Sequence, residues 1–172
     1  MGVKLLPLSV AELSAHALEL EREAGMRYRE YATRMRDIGE AKTAEVFEDL
    51  TREQDAEVRA LESAVGDRKP SELSPWEYVW RLTYMPEKLE PSPRLVPLSP
   101  REALQLALLA KRRAEAFYND VADNARDEVV RICAAEMVEG ERQQVKYLEW
   151  LLNAELREEK EALESGPDDR PM

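Results

Sequence analysis

Polar side chains interrupt the apolar faces of four segments of this chain that otherwise have the periodicity of amphipathic helices. The interruptions are Glu21 in the first segment, Gln54 and Glu57 in the second, Lys111 in the third, and Glu141 and Gln144 in the fourth. Gln54-x-x-Glu57 and Glu141-x-x-Gln144 are pairs spaced by three residues, so both members of each pair lie on one helix face, one turn apart. Interior side chains placed in this way can reach one central point, which is the geometry needed to hold an ion.

A partial repeat at an offset of 90 residues relates the two halves of the chain. Leu8-Ser9, Glu12, Ala17-Leu18, Ala24, Tyr28 and Ala32 recur as Leu98-Ser99, Glu102, Ala107-Leu108, Ala114, Tyr118 and Ala122. Glu21 recurs as Lys111, so a charged position inside the apolar stripe keeps its place and changes its sign. We therefore expect two similar helix pairs whose interiors differ in charge.

The composition indicates long helices, because few glycines accompany extended stretches of Ala, Leu, Glu, Arg and Lys. The predicted helices cover residues 9–39, 41–65, 99–123 and 127–163. Capping boxes at Ser9-Val-Ala-Glu12 and Ser99-Pro100-Arg101-Glu102 mark the starts of the first and third helices. A connection over residues 66–98, with a short helix around Trp76, joins the two pairs. Short loop, long crossover and short loop predict an all-α, ferritin-like four-helix bundle made of two duplicated hairpins.

Length and charge restrict the organisation and the partners. A chain of 172 residues predicts one domain, over residues 1–165, followed by a disordered tail at residues 166–172. A net charge of −11 argues against nucleic acid or an anionic membrane as a partner. The longest uncharged apolar run, Ala103 to Ala110, is far too short to span a bilayer. We expect a cytoplasmic homodimer, since twofold dimers are the commonest oligomers, and the sequence names no protein partner.

Further motifs lie on the predicted helices. They are Glu21-x-x-Ala24-x-x-x-Tyr28-x-x-x-Ala32, Phe47-x-x-Leu50-x-x-Glu53, the run from Ala107 to Ala122, and Met137-Val138-Glu139-Gly140-Glu141. With these motifs the chain resembles the rubrerythrin-like branch of the ferritin-like superfamily over nearly all of residues 9–152, apart from the crossover. In that family each helix pair supplies one glutamate and one Glu-x-x-His, and the six side chains bind two iron or manganese ions for oxygen or peroxide chemistry.

Carried over position by position, the resemblance implies a degenerate dimetal site. Glu21 and Glu141 match the family's motif, whereas Gln54 stands at a glutamate position, Glu57 and Gln144 stand at the histidine positions, and Lys111 stands at the glutamate of the second helix pair. Glutamine offers only a neutral carbonyl, and lysine does not ligate a metal while it is protonated. Too little negative charge is therefore left to offset two divalent cations.

Lys111 brings a positive charge to the place that a metal would occupy, and Glu21, Glu57 and Glu141 are the carboxylates that can surround it. A buried carboxylate without a partner is very costly. We therefore expect the ammonium of Lys111 to replace the dimetal centre as the internal counter-ion of the bundle.

Other polar groups are expected to complete this network. The amides of Gln54 and Gln144 provide hydrogen bonds, and Tyr28 and Tyr118 act as donors from the next turns. Three carboxylates against one lysine leave excess negative charge. Either one glutamate is protonated, or an arginine or a single cation also enters.

Three classes of function are compatible with these residues. The sequence favours a non-catalytic structural or interaction protein that needs no cofactor. The alternative is a metal-binding oxidoreductase of the peroxidase or ferroxidase type that retains one iron or manganese ion through Glu21, Glu57 and Glu141. A weaker alternative uses the emptied interior as a small-molecule pocket. A small register error could instead turn Gln54 or Glu57 to solvent, and Glu139 could substitute for a missing ligand.

The lone histidine and the lone cysteine lie outside the predicted site. His16 is expected at the surface or the rim of the bundle. Cys133 is expected to be a small buried hydrophobe, and as a single cysteine it excludes an internal disulfide within this chain.

Overall fold

The computed structural model describes residues 6–65 and 97–166 of the chain. This part forms four helices: α1 (Val10–Asp37), α2 (Ala41–Val65), α3 (Pro100–Asn124) and α4 (Glu128–Glu164). The described residues contain no β-strand, and the predicted all-α four-helix bundle is confirmed. The short helix predicted around Trp76 and most of the predicted tail lie outside the described residues. No helix in the described ranges is long and apolar enough to cross a membrane.

Side-chain and backbone hydrogen bonds fix the helix ends. Ser9 caps α1 by accepting a backbone N–H of the first turn. Ser99 and Glu102 form a reciprocal capping box on α3: Ser99 Oγ accepts from the Glu102 backbone N–H at 3.2 Å, and Glu102 Oε2 accepts from the Ser99 backbone N–H at 2.7 Å. Asp127 caps α4 by accepting the backbone N–H groups of Val129 and Val130. Between α1 and α2 the chain reverses at Gly39, whose φ of 84° is one that glycine adopts without strain.

The four helices form two hairpins, α1 with α2 and α3 with α4, and most contacts between helices lie within them. The hydroxyl of Thr43, near the start of α2, donates to the carbonyl of Leu98, just before α3, at 2.6 Å. At the other end of α2, Leu61 packs against the cluster that contains Val121 near the end of α3. Helices α2 and α3 therefore run parallel, and α2 ends at the opposite end of the bundle from the start of α3.

Two hydrophobic clusters fill the bundle, one towards each end. The first contains Leu13, Ala17, Leu20, Ala114, Phe117, Tyr118, Val121, Ala125, Val130, Ala134 and Val138. The second contains Tyr28, Ala32, Met35, Ala44, Phe47, Leu50, Ala103, Leu104, Ala107, Leu108 and Leu148. Between the two clusters, each helix contributes a buried polar side chain: Glu21, Gln54, Lys111 and Glu141. We call this layer, together with the half-buried Glu57, the polar layer.

Loss of the capping box on α3 tests whether local hydrogen bonds set the start of that helix. We expect Ser99→Ala to lower the free energy of unfolding by about 1 kcal/mol, because a backbone N–H of the first turn loses its acceptor. Ser99→Asp keeps an acceptor at this position and should stay close to the parent. Urea denaturation followed by circular dichroism measures both variants, and equal losses in the two would contradict the capping role.

Candidate functional site

The polar layer brings together side chains from all four helices around one ammonium group. Nζ of Lys111 lies 2.8 Å from Glu57 Oε2, 3.2 Å from Glu21 Oε2 and 3.7 Å from Glu141 Oε2. Glu21, Lys111 and Glu141 are buried, and the side chain of Glu57 is 25% exposed. The ammonium therefore lies within 3.7 Å of three carboxyl groups, each from a different helix.

Gln54 joins two of these carboxylates. Its Nε2 donates to Glu21 Oε2 and, at 3.3 Å, to Glu57 Oε2. Gly25 of α1 lies beside it, and a Cβ built on that glycine would come within 3.5 Å of Gln54 Cγ, an ordinary van der Waals contact. Gln54 thus cross-links α1 and α2 at the edge of the ion pairs.

The other residues expected in the network lie near it in different ways. Gln144 is half-buried, and its Oε1 has no hydrogen-bond partner within the described residues. Tyr28 and Tyr118 are both buried, and the hydroxyl of Tyr28 likewise makes no hydrogen bond within the described residues. Burial, together with the nearby carboxylates, raises the pKa of each phenol above its ordinary value, although Lys111 opposes this effect at Tyr28. Both phenols therefore stay protonated.

Opposing effects set the charges at the centre of the layer. Burial alone would raise the pKa of Glu21, but the Lys111 ammonium and hydrogen bonds with Glu141, Gln54 and Lys111 bring it below its ordinary value. Burial alone would lower the pKa of Lys111, but the carboxylates of Glu21, Glu141 and Glu57 raise it above the ordinary value. Glu21 and Lys111 are therefore an ionised pair at neutral pH.

The two remaining carboxyl groups hold their protons more tightly. Burial raises the pKa of Glu141 to about 9, with Lys111 opposing and the neighbouring Glu21 carboxylate reinforcing the shift. Burial raises the pKa of Glu57 to about 7, again against the effect of Lys111. Glu141 is consequently neutral at pH 7 and Glu57 titrates near that pH. Of the three ways to balance the excess negative charge, this pattern favours a protonated glutamate.

The repeat offers a second way to match the polar positions of α2 with those of α4. At the offset that relates Glu21 to Lys111, Gln54 corresponds to Gln144, and Thr51 corresponds to Glu141. Thr51 is buried, and its hydroxyl donates to the Phe47 carbonyl of its own helix at 2.8 Å. Sequence reasoning that paired Gln54-x-x-Glu57 with Glu141-x-x-Gln144 missed Thr51, although the same offset applied to α2 identifies it. The two halves of the layer have therefore diverged in the groups they present.

The donor set decides which ions these residues fit. Glu21, Glu57 and Glu141 offer carboxylate oxygens that all lie within 4.8 Å of one another. The amide of Gln54 donates to two of these groups, and the Lys111 ammonium lies within 3.7 Å of all three. Two divalent cations do not fit this set, because an amide and an ammonium cannot offset their charge. The three carboxylates fit one cation, and the ammonium lies among them.

The position of His16 differs from the one expected from the sequence. It is buried, at 4% exposure, and its ring packs against Phe117 with ring centroids 5.7 Å apart. The prediction of a surface or rim position was wrong, because the buried face of α1 includes consecutive residues from Ala15 to Leu18 and is wider than one stripe. Cys133 is partly buried against the first hydrophobic cluster, as expected for a small apolar side chain.

Each hairpin pairs two antiparallel helices, and α2 of the first hairpin runs parallel to α3 of the second. This arrangement, with a polar layer across the middle, defines a ferritin-like four-helix bundle. The rubrerythrin family model matches residues 12–163, and the chain belongs to this family. It is also similar to the crystal structure, at 2.00 Å resolution, of an uncharacterized conserved protein from Magnetospirillum magnetotacticum MS-1. The two share 27% sequence identity with a TM-score of 0.63, over 85% of this chain and 95% of that one. No curated protein matches the chain.

Removal of the ammonium tests its importance for stability. We expect Lys111→Met to lower the free energy of unfolding by roughly 3–5 kcal/mol at neutral pH, because Glu21 loses its partner while it stays buried. The loss should shrink at acidic pH, where the carboxyl groups are protonated in both states. Lys160→Met is the matched control, because Lys160 is exposed near the end of α4 and should change stability by no more than about 0.5 kcal/mol. Equal stability of parent and Lys111→Met at every pH would contradict an internal ion pair.

The raised pKa values of Glu141 and Glu57 predict that the bundle loses stability as the pH rises. A carboxyl group whose pKa is higher in the folded state releases a proton on unfolding, so its contribution is complete below its ordinary pKa and declines above it. Between about pH 5 and pH 8, the free energy of unfolding should fall by at most about 1.4 kcal/mol per pH unit for each such proton. Urea denaturation across this range measures the slope.

Glu141→Gln isolates the contribution of one proton. Glutamine resembles the protonated acid in shape and charge, so the variant should have a shallower pH dependence and equal or greater stability at about pH 8. Glu139→Gln, at an exposed position two residues earlier, should keep the parent's slope. A large loss of stability in Glu141→Gln at about pH 8 would mean that Glu141 is charged in the folded protein.

Proposed function

We propose that this chain is a non-catalytic member of the rubrerythrin family with a structural or interaction role. In this proposal Lys111 replaces the family's dimetal centre and serves as the internal counter-ion of Glu21, Glu57 and Glu141. The observation that carries the proposal is the position of Lys111 Nζ, 3.7 Å or less from a carboxylate oxygen of each glutamate.

The physical basis is that an attached cation does the electrostatic work of a metal without its chemistry. An ammonium neutralises carboxylates and donates up to three hydrogen bonds, but it has no redox states and no open coordination position. The ammonium of Lys111, on α3, contacts carboxyl groups of α1, α2 and α4, so one side chain links the four helices. A member of the family built in this way keeps the bundle and gives up oxygen or peroxide chemistry.

A second function is favoured by one specific observation. Glu21, Glu57 and Glu141 offer oxygens within 4.8 Å of one another, which is a possible set of ligands for one iron or manganese ion. An oxidoreductase with such a partial site would require the Lys111 ammonium to move away from the carboxylates. The small-molecule pocket is a third candidate; a groove of about 340 Å³ between α1 and α2 is lined by none of the polar-layer residues, so this groove does not lead to the predicted interior site.

Metal content distinguishes the first two functions. The purified full chain is incubated anaerobically with excess Fe(II) or Mn(II), freed of unbound metal, and analysed for bound metal per chain. We expect no retained ion. One ion per chain would support the partial-site oxidoreductase, and two ions per chain would overturn the lost-site proposal.

Restoring the family's metal ligands tests whether residues 54, 57, 111 and 144 occupy the ligand positions assigned to them. We expect the combined variant Lys111→Glu, Gln54→Glu, Glu57→His and Gln144→His to bind metal, because six ligating side chains would then surround one point. The other three substitutions without Lys111→Glu form the control, which should bind less metal because the ammonium stays in place. A folded quadruple variant that binds no metal would contradict the placement.

The remaining proposals concern the location of the protein in the cell, its oligomeric state and its partners. We propose that it works in the cytoplasm as a homodimer and that its acidic character, with a net charge of −11, keeps it away from nucleic acid. The interaction surface for a second copy lies on the outside of the bundle and does not depend on the role of Lys111.

A further inference from the structure

Helix α4 exposes large apolar side chains along its outer face. Val129 is 58% exposed, Ile132 54%, Tyr147 45% and Trp150 60%, and the rings of Tyr147 and Trp150 are stacked with their centroids 6.2 Å apart. The spacing of three and four residues places all of them on one face of the helix, together with exposed residues between them. We call this face the outer stripe; it consists of Val129, Ile132, Glu136, Gly140, Gln143, Tyr147 and Trp150.

The outer stripe is symmetric along the helix. Val129 and Trp150 lie equally far from the midpoint between Glu139 and Gly140, and so do Ile132 and Tyr147. An antiparallel copy of α4 crossing at this midpoint would bring Ile132 of one chain against Tyr147 of the other, and Val129 against Trp150. Each aromatic side chain would then cover a β-branched aliphatic one, twice per interface. Such self-complementarity is what a twofold interface requires.

The exposed charged residues nearest the midpoint of the outer stripe change sign there, from acidic before it to basic after it. Exposed Glu136 and Glu139 precede the midpoint, and exposed Arg142 and Lys146 follow it. Arg142 already donates to Glu115 at 3.0 Å, which leaves Lys146 as the principal cation for this purpose. An antiparallel pair places Glu136 of one chain near Lys146 of the other, whereas a parallel pair would place like charges together. The charges therefore favour the same orientation as the apolar residues.

Gly140 allows the two helices to approach closely. It lies in the middle of α4, where glycine costs about 1 kcal/mol relative to alanine, and a Cβ built on it would meet no atom within 4 Å. Nothing inside the described bundle requires a residue without a side chain at this position. A second helix crossing over Gly140 would use the open space.

We propose that the outer stripe of α4 is the interface at which two copies of this chain form an antiparallel, twofold-symmetric dimer centred on Gly140. The occupant is a second copy because the apolar residues, the flanking charges and the glycine are all arranged symmetrically about one point. The inference rests on the proposed function only for the existence of a homodimer. It does not involve the polar layer, so Lys111→Met should leave the association unchanged.

Analytical ultracentrifugation of the full chain tests the interface. The parent should sediment as a dimer of the 19.8 kDa chain. Ile132→Glu and Trp150→Glu should each raise the dimer dissociation constant at least tenfold, because a charge would be buried between the helices, while circular dichroism stays that of the folded bundle. Met26→Glu is the matched control, since Met26 of α1 is 58% exposed but lies off the stripe, and it should leave the constant unchanged. A monomeric parent, or two stripe variants that associate like the parent, would overturn the proposal.

Disulfide trapping tests the orientation. In a Cys133→Ala background, the double variant Ile132→Cys with Tyr147→Cys should form covalent dimers on mild oxidation with oxidised glutathione. Ile132→Cys alone should not, because an antiparallel pair keeps the two copies of residue 132 apart. Met26→Cys serves as the control for random collision. Efficient trapping of the single variant would indicate a parallel pair and overturn the proposed geometry, as would failure of the double variant in a chain that is shown to be dimeric.

Discussion

The mutual neutralisation of Lys111 and the carboxylates around it is the constraint on which the interior of the bundle depends. The hydrophobic clusters are satisfied by apolar contact, but Glu21 is buried and charged and needs a cation within reach. The ammonium supplies the cation, and Gln54 supplies a further donor. The pKa of Glu141, raised to about 9, means that a proton on this carboxyl group contributes to the charge balance of the layer. The site therefore works as one electrostatic unit, in which no member can be exchanged without changing the protonation of the others.

The inverted charge at equivalent positions of the repeat makes the two hairpins interdependent. The first hairpin contributes Glu21, Gln54 and Glu57, and the second contributes Lys111 and Glu141. Separated from each other, the first would expose an excess of negative charge, and the second would leave Lys111 with Glu141 alone of its three carboxyl partners. A bundle that holds two metal ions obtains the same connection from bound ions and needs to be loaded with them. Here the cation is a side chain of the protein itself, so the connection forms as soon as the two hairpins pack together.

The sequence predicted most of the fold and much of the site, and its failures have physical reasons. Capping boxes, periodicity and the repeat were sufficient for four helices, and their interior polar positions were sufficient to select the side chains that meet around Lys111. The burial of His16 was not predictable from spacing, because the width of the buried face of α1 depends on how α3 packs against it. The alignment of Thr51 with Glu141 was missed because similar i, i+3 pairs were matched by residue type instead of by offset. The distribution of protons among the three glutamates depends on differences in burial that only coordinates provide.

The polar layer also divides the hydrophobic interior into two clusters, and this division limits how the helices can slide along one another. A displacement of α3 by one helical turn, about 5.4 Å, would carry the amine of Lys111 away from the carboxylates and towards apolar side chains on either side. Purely apolar interfaces between helices tolerate such shifts at low cost, whereas a buried charge permits one alignment. We infer that the ion pairs fix the axial register of the four helices, which the apolar clusters at the two ends of the bundle would specify less strictly by themselves.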